Sequence, residues 1–116
     1  MSSAIQDVVK KSEILPSSED MFILFHKKTC PFCIKMMGQF EQACDDVQND
    51  PDQKKDIRRC EYSVIREKPY GITTFPALVR VYKKKDEFFY SILYDKDSLP
   101  RTQASLTAIL LSKHPS

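Results

Sequence analysis

The chain has 116 residues, of which 41% are apolar and 29% charged, and its formal net charge is +2. This length predicts a single domain over residues 1–116, and this composition is typical of a soluble globular protein. The net charge is too small, and charges of both signs are too interleaved, to indicate nucleic-acid binding.

We expect no secretory signal, because Met1–Gln6 lacks both the basic head and the apolar core of such a segment. Apolar runs such as Met21–Phe25 are far too short to span a membrane. The cysteines are spaced too unevenly for a secreted disulfide framework, at Cys30, Cys33, Cys44 and Cys60. We therefore expect a cytoplasmic protein in a reducing compartment, with no membrane and no nucleic acid among its partners.

The first half of the chain predicts two helices separated by a strand. Ser2–Leu15 reads as a short amphipathic helix with a capping box from Ser3 to Gln6. Met21–Phe25 is short and wholly apolar, which indicates a buried strand. From Pro31 to Gln48 the apolar residues recur at helical spacing, with an inner face formed by Cys33, Met37, Phe40, Cys44 and Val47.

The second half predicts three strands and a terminal helix. Ile57–Ile65 reads as a strand with Cys60, Tyr62 and Val64 on one face, and Glu67–Gly71 reads as a turn or short helical piece. Two further strands and a helix complete the chain: Ala77–Tyr82, Phe88–Leu93 after a Lys83–Glu87 hairpin turn, and a helix starting near Asp97 with Leu99, Thr102, Leu106 and Ile109 at helical spacing.

Two cysteines lie where the first predicted strand meets the long helix. Free N–H groups and the positive end of the helix dipole favour an anion at Cys30, and Lys27 and Lys28 add positive charge nearby. A thiolate is the nucleophilic form of cysteine, and Cys33 stands one turn further along, where it can attack a mixed disulfide on Cys30. Cys30 is therefore predicted as the attacking thiol and Cys33 as the resolving thiol; the alternative is two incidental core cysteines.

Two motifs stand out, KKTCPFC at Lys27–Cys33 and YGITTFPAL at Tyr70–Leu78. With them the chain resembles the thioredoxin and glutaredoxin superfamily over nearly its whole length. The first motif is similar to a glutaredoxin active site, and the second resembles the thioredoxin segment that enters the third core strand. The resemblance implies an α/β thioredoxin fold whose central mixed four-stranded sheet is flanked by helices. It also implies that Pro76 is a cis-proline packed against Cys30 and Cys33, where an ordinary trans proline is the alternative.

The same resemblance suggests how substrate is held. The Phe75 backbone would pair with an extended substrate segment in strand-like fashion. The predicted substrate-binding residues are Lys27, Phe32, Thr74, Phe75 and Pro76. For Phe32 the alternative is an ordinary solvent-facing residue, and no metal is expected on the two sulfurs.

The chain departs from both subfamily patterns. Leu24 stands six residues before Cys30, where thioredoxins carry a buried aspartate, so no residue is identified that would remove the Cys33 proton. Gly38 and Gly71 are the only glycines, so the paired-glycine turn that helps glutaredoxins bind glutathione is missing. Exchange with protein disulfides is therefore favoured over a glutathione-specific activity.

These patterns together predict a thiol–disulfide oxidoreductase with a redox-active Cys30–Cys33 disulfide and no bound cofactor. The expected partners of this monomer are protein disulfide substrates and a reductase, with electrons from a thioredoxin reductase or from glutathione. The alternatives are a binding module whose cysteine pair is a redox switch, a glutathione-dependent glutaredoxin and, more weakly, a carrier of metal or clusters.

The remaining candidates have simpler interpretations. Cys44 and Cys60 are interpreted as buried and inert, with a Cys44–Cys60 disulfide as the alternative. A zinc site is a further alternative, although its candidate ligands are poorly spaced for a zinc knuckle: Cys30, Cys33, Cys44, Cys60 and His26. His26 is expected to pack or to meet solvent rather than to take part in catalysis.

Overall fold

The computed structural model describes residues 5–49, 55–94 and 103–112. Its core is one five-stranded mixed sheet in the order β1-β3-β2-β4-β5. The strands are β1 (Gln6–Asp7), β2 (Asp20–His26), β3 (Asp56–Glu61), β4 (Ala77–Lys84) and β5 (Glu87–Tyr94). The α-helices are α1 (Pro31–Gln48), α2 (Tyr62–Ile65) and α3 (Gln103–Leu111). The predicted α/β class with a mixed sheet flanked by helices is confirmed, with five strands rather than the predicted four.

Strand β2 lies at the centre of the sheet and fixes the position of the helix that follows it. It pairs in parallel with β3 and antiparallel with β4, and the side chains of Met21–Phe25 are all buried. Apolar side chains on both faces are expected for a strand covered on both sides. The predicted buried strand is thus confirmed, extended by one residue at each end.

Helix α1 has the predicted bounds, Pro31–Gln48. Pro31 occupies the first helical position, where an N–H would have no intrahelical partner. The buried face differs in one residue from the prediction, because Met36 is 1% exposed whereas Met37 is only partly buried. A period of 3.6 residues leaves such neighbouring positions ambiguous, and packing against the sheet decides between them.

Two clusters of buried side chains form the core. One cluster contains Leu24, Phe40 and Cys44 and is joined by Leu106 and Leu110 of α3. The other contains Phe25, Cys33 and Cys60 together with residues of the segments that connect the strands. Since Leu24 and Phe25 are neighbours on one strand, the two clusters lie on opposite faces of the sheet. No helix in the described ranges is both long and apolar enough to cross a membrane.

The predicted amino-terminal helix over Ser2–Leu15 is wrong. The chain instead forms β1 and a short 3₁₀ helix at Lys11–Ile14, while Ser3 of the predicted capping box lies outside the described residues. Asp7 pairs with Arg59 of β3 and its carboxylate accepts from the Arg59 guanidinium at 2.8 Å. Pairing with a strand 52 residues away therefore overrides the local helical pattern.

The predicted strand Ile57–Ile65 is wrong in its second half. Strand β3 ends at Glu61, and Tyr62–Ile65 form the short helix α2. The Glu61 carboxylate accepts from the Ser63 N–H and so caps this turn, and Arg66 ends it in the left-handed conformation with φ 53°. Capping therefore turns Tyr62 and Val64 out of the strand on which the alternating pattern placed them.

The carboxyl-terminal part follows the prediction with small changes in bounds. The predicted turn at Glu67–Gly71 contains a 3₁₀ helix, Pro69–Gly71. Strands β4 and β5 pair as a hairpin whose turn residues, Lys85 and Asp86, both have positive φ, so the turn is tighter than the predicted Lys83–Glu87 connection. The predicted start of the last helix, with Asp97, Leu99 and Thr102, lies outside the described residues.

Gly38 is expected to be a weak point of α1. It lies on the exposed side of the helix, and a Cβ built there meets nothing within 4 Å. Gly38→Ala should therefore raise the free energy of unfolding by about 0.5–1 kcal/mol, measured by urea denaturation, since alanine loses less backbone entropy.

Gly71 provides the matched control. Its φ is +75°, a region that alanine adopts only with strain, so Gly71→Ala should lower the free energy of unfolding by about 1 kcal/mol. A destabilised Gly38→Ala protein would show that α1 is not a regular helix around that position.

Candidate active site

Cys30 caps the amino terminus of α1. Its backbone is extended, with φ −90° and ψ 113°, and its sulfur accepts from the Cys33 N–H at 3.3 Å. A sulfur in this position faces free backbone N–H groups and the positive end of an 18-residue helix. The arrangement stabilises negative charge on Cys30, and the side chain is partly exposed, so a substrate can reach it.

Cys33 lies one turn further along α1 in a different environment. It is only 2% exposed, and its sulfur accepts from the Lys27 N–H at 3.5 Å. Burial, followed by the hydrogen bond with Cys30, raises the pKa of the Cys33 thiol to about 12. All four cysteines are free thiols, so the structure places an accessible sulfur beside a buried, protonated one.

The segment that leads into β4 faces the two sulfurs. The Cys30 thiol lies 3.7 Å from the Phe75 carbonyl oxygen, to which it donates. The Phe75–Pro76 peptide bond is cis, and both residues are buried. The hydroxyl of Thr74 is also buried and has no hydrogen-bond partner among the described residues. Phe75 thus makes the contact with Cys30 in a short wall, the segment Thr74–Pro76.

Lys27 is held over two aromatic rings next to the cysteine pair. Its ammonium lies 4.7 Å from the centroid of Tyr62 and 5.2 Å from that of Phe75. The two rings meet edge to face at 5.5 Å. Such cation–π contacts fix a lysine without neutralising it. A positive charge is thus positioned within the candidate site.

Tyr62 is a site residue that sequence reasoning missed. The strand prediction over Ile57–Ile65 gave it a place on a β face, whereas α2 turns its ring toward Lys27. A local signal was present, because Glu61 precedes Ser63 by two residues and can cap a turn there.

Two further features border the cysteines: exposed apolar side chains in the first turn of α1 and an open pocket. Phe32 and Ile34 are 44% and 64% exposed, although both lie in the first turn of α1. On the side of Cys33 an open pocket of about 320 Å³ is lined by His26, Lys27, Lys28, Cys33, Ile34 and Met37. Exposed apolar residues around a reactive sulfur are typical of a surface that binds other molecules.

Cys44 and Cys60 belong to the two opposite core clusters. The Cys44–Cys60 disulfide considered as an alternative is therefore wrong, because the sheet separates the two residues. Burial raises the pKa of each thiol to about 12. Within the described residues, no group of three or more His, Cys, Asp or Glu side chains is arranged to hold a metal ion.

Comparison with solved structures gives the fold. The Trx4 domain of ERdj5 has a TM-score of 0.73 and 13% identity over 94% of this chain and 94% of that chain. The J-Trx1 fragment of ERdj5 has a TM-score of 0.66 and 18% identity over 91% of this chain, which spans 49% of that fragment. Thioredoxin from Trichomonas vaginalis has a TM-score of 0.60 and 16% identity over 80% of this chain and 84% of that chain.

No protein-family model and no curated protein sequence matches the chain. At identities this low the structural likeness shows the fold alone, and that fold is the thioredoxin fold. The chain carries a Cys-X-X-Cys pair, Cys30 and Cys33, on this fold.

The four thiols should differ sharply in reactivity. Iodoacetamide reacts with thiolates, and the raised pKa values of Cys33, Cys44 and Cys60 keep these three protonated at all pH values well below about 12. Near neutral pH, mass spectrometry of the reduced, folded protein should therefore show alkylation at Cys30 alone. The unfolded protein, as the control, should be alkylated at every cysteine. Modification of Cys44 or Cys60 as fast as Cys30 would contradict the described burial.

Proposed function

We propose that this protein is a dithiol oxidoreductase that reduces or exchanges disulfides in other proteins. The observation that carries the proposal is the asymmetry of the cysteine pair. Cys30 is accessible and caps α1, whereas Cys33 is buried one turn away and donates its backbone N–H to the Cys30 sulfur at 3.3 Å. Attack and resolution are thus assigned to different sulfurs.

In the first step the Cys30 thiolate attacks one sulfur of a substrate disulfide. A bond forms between Cys30 and that sulfur, the substrate S–S bond breaks, and the second substrate sulfur leaves as a thiolate. The amino terminus of α1 stabilises the attacking anion before the reaction. The product is a mixed disulfide between Cys30 and the substrate.

In the second step Cys33 attacks the sulfur of Cys30. The Cys30–Cys33 bond forms, the bond to the substrate breaks, and the substrate leaves with two reduced thiols. The oxidised pair then needs two electrons from outside the chain. We assign this role to a thioredoxin reductase or to glutathione, and the absence of a paired-glycine turn from the sequence favours the reductase.

The surface around Cys30 supports a protein as the substrate. The wall formed by Thr74, Phe75 and Pro76 would hold an extended segment next to the sulfur, with backbone hydrogen bonds supplying affinity. Phe32 would add apolar contact, since it is 44% exposed beside the cysteines. Lys27 would supply a positive charge toward acidic groups on the substrate.

A second candidate function is a binding module in which the cysteine pair acts only as a redox switch. Burial of Cys33 favours it, because a thiol with a pKa of about 12 resolves a mixed disulfide slowly without help. This function predicts a stable complex with little turnover.

Single cysteine replacements test the assignment of roles. Cys30→Ser should abolish insulin reduction in assays driven by thioredoxin reductase or, separately, by glutathione, since no other accessible thiolate can attack. Cys33→Ser should instead accumulate a mixed disulfide with the substrate, visible as a band that reductant removes on a denaturing gel. Cys44→Ser is the matched control and should keep full activity. Retained activity of Cys30→Ser would refute the proposal. Activity of the wild-type protein with glutathione alone would show that glutathione, rather than a thioredoxin reductase, is the electron donor.

Phe32→Ala tests whether the apolar surface recognises proteins. Loss of a half-exposed ring from a contact should weaken binding by about 1 kcal/mol, or about fivefold in KM for a protein disulfide. A small-molecule disulfide does not reach across this surface, so its kinetics should be unchanged. Equal effects on both substrates would show that Phe32 acts on the cysteines rather than on recognition.

A further inference from the structure

The resolving step needs a group that takes up a proton. Cys33 must lose its proton to become a nucleophile, yet its sulfur is buried and its thiol is strongly favoured over the thiolate. On β2, Leu24 belongs to one core cluster and Phe25 to the other. Neither side chain can accept a proton. The pocket that Cys33 lines brings other side chains close to this sulfur.

His26 is the side chain in that pocket that can accept a proton near neutral pH. The lining residues besides Cys33 are two lysines, an isoleucine, a methionine and His26. The Lys27 N–H donates to the Cys33 sulfur at 3.5 Å. Only the C–N and Cα–C bonds separate this nitrogen from the His26 Cα, so the sulfur lies within about 6.4 Å of that atom. One imidazole and one water molecule span such a distance.

The pocket has room for that water. Its volume of about 320 Å³ is many times that of a single water molecule, and it opens to solvent. The imidazole, the Cys33 thiol and the backbone of Lys27 supply the polar partners that an ordered water requires. A relay of two hydrogen bonds from sulfur to imidazole is therefore possible without any change of fold.

Burial and the charges around His26 favour its neutral imidazole, the form whose free ring nitrogen can accept a proton. Partial burial, and after it the nearby Arg59 guanidinium, lower the pKa of His26 from its usual 6.5, while Glu61 and Asp7 act in the opposite direction. Arg59 is itself bound to Asp7 at 2.8 Å and to Glu41 of α1 at 2.6 Å. Lys27 and Lys28, which also line the pocket, add further positive charge.

We infer that His26 accepts the Cys33 proton through a water molecule in this pocket during resolution of the mixed disulfide. The role rests on the proposed function and identifies the base that its second step needs. This proposal departs from the sequence-based expectation that His26 packs or meets solvent rather than takes part in catalysis.

The step balances as follows in atoms and electrons. The Cys33 proton passes to the water as the water passes a proton to His26, and the Cys33 sulfur forms its bond to Cys30. The bond between Cys30 and the substrate sulfur breaks, and its electron pair leaves on that sulfur. The imidazolium then returns the proton to the substrate thiolate. The two cysteines are oxidised by two electrons and the substrate disulfide is reduced by two.

The test separates attack from resolution with a bis-nitrobenzoate disulfide, which releases one coloured thiolate at each step. In stopped flow the first phase reports attack by Cys30 and scales with reagent concentration, whereas the second reports Cys33 and does not. This thiolate leaves without a proton, so the second phase isolates proton removal from Cys33. His26→Gln keeps a polar side chain without a basic nitrogen. Val9→Ala is the control, because Val9 is 75% exposed and lies outside the pocket.

For His26→Gln near neutral pH we expect a second phase slowed by about 100-fold, the lower end of general-base effects, and an unchanged first phase. The wild-type second phase should fall as the pH drops below 6.5 through the His26 pKa, because imidazolium cannot accept a proton. At high pH the two proteins should converge, since solvent hydroxide then removes the Cys33 proton. Val9→Ala should behave as wild type in both phases.

An unchanged second phase in His26→Gln, or equal slowing in Val9→Ala, would overturn the role of His26 and leave the proposed function intact. A missing first phase in wild type would instead overturn the proposed function itself. Should His26→Gln fail to fold, the pH dependence of the wild-type second phase tests the role of His26 instead. That phase must inflect at the His26 pKa measured by NMR, and an inflection elsewhere overturns the inference.

Discussion

The site depends on one contact, the hydrogen bond from the Cys33 N–H to the Cys30 sulfur at 3.3 Å. In most helices an oxygen of serine, threonine or aspartate fills this capping position and satisfies an otherwise free N–H group. Here a sulfur takes that place, so the group that caps α1 is also the group that can react. Stabilisation of the helix end and stabilisation of a thiolate are therefore the same interaction, and a change that loosens one weakens the other.

The central strand gives this cap its rigidity. Strand β2 is buried on both faces and bonded on both edges, and it ends at His26, immediately before the lysine whose N–H reaches the Cys33 sulfur. The segment before β4 also contacts the pair, because its Phe75 carbonyl lies 3.7 Å from the Cys30 sulfur. Both sulfurs are thus positioned by backbone groups, which move less than side chains.

Two charged side chains lie near the pair in different settings. Lys27 stands over the rings of Tyr62 and Phe75, at 4.7 and 5.2 Å from their centroids, and also lines the pocket with Cys33 and His26. Arg59 is bound to Asp7 and Glu41 and favours the neutral form of His26. The rings hold Lys27 where a substrate can meet it, whereas Arg59 acts on the residue proposed to take up a proton.

The sequence by itself determined the parts that depend on neighbours along the chain. Local periodicity predicts the apolar run of β2 and the bounds of α1. Pro31 marks the first helical position and so places Cys30 where α1 begins. Only the tertiary structure decided that Gln6–Asp7 is a strand, that Tyr62 faces Lys27 and that His26 shares a pocket with Cys33. Each of these depends on partners distant in sequence or on a turn that redirects the chain, and such contacts leave no periodic pattern in the residues that make them.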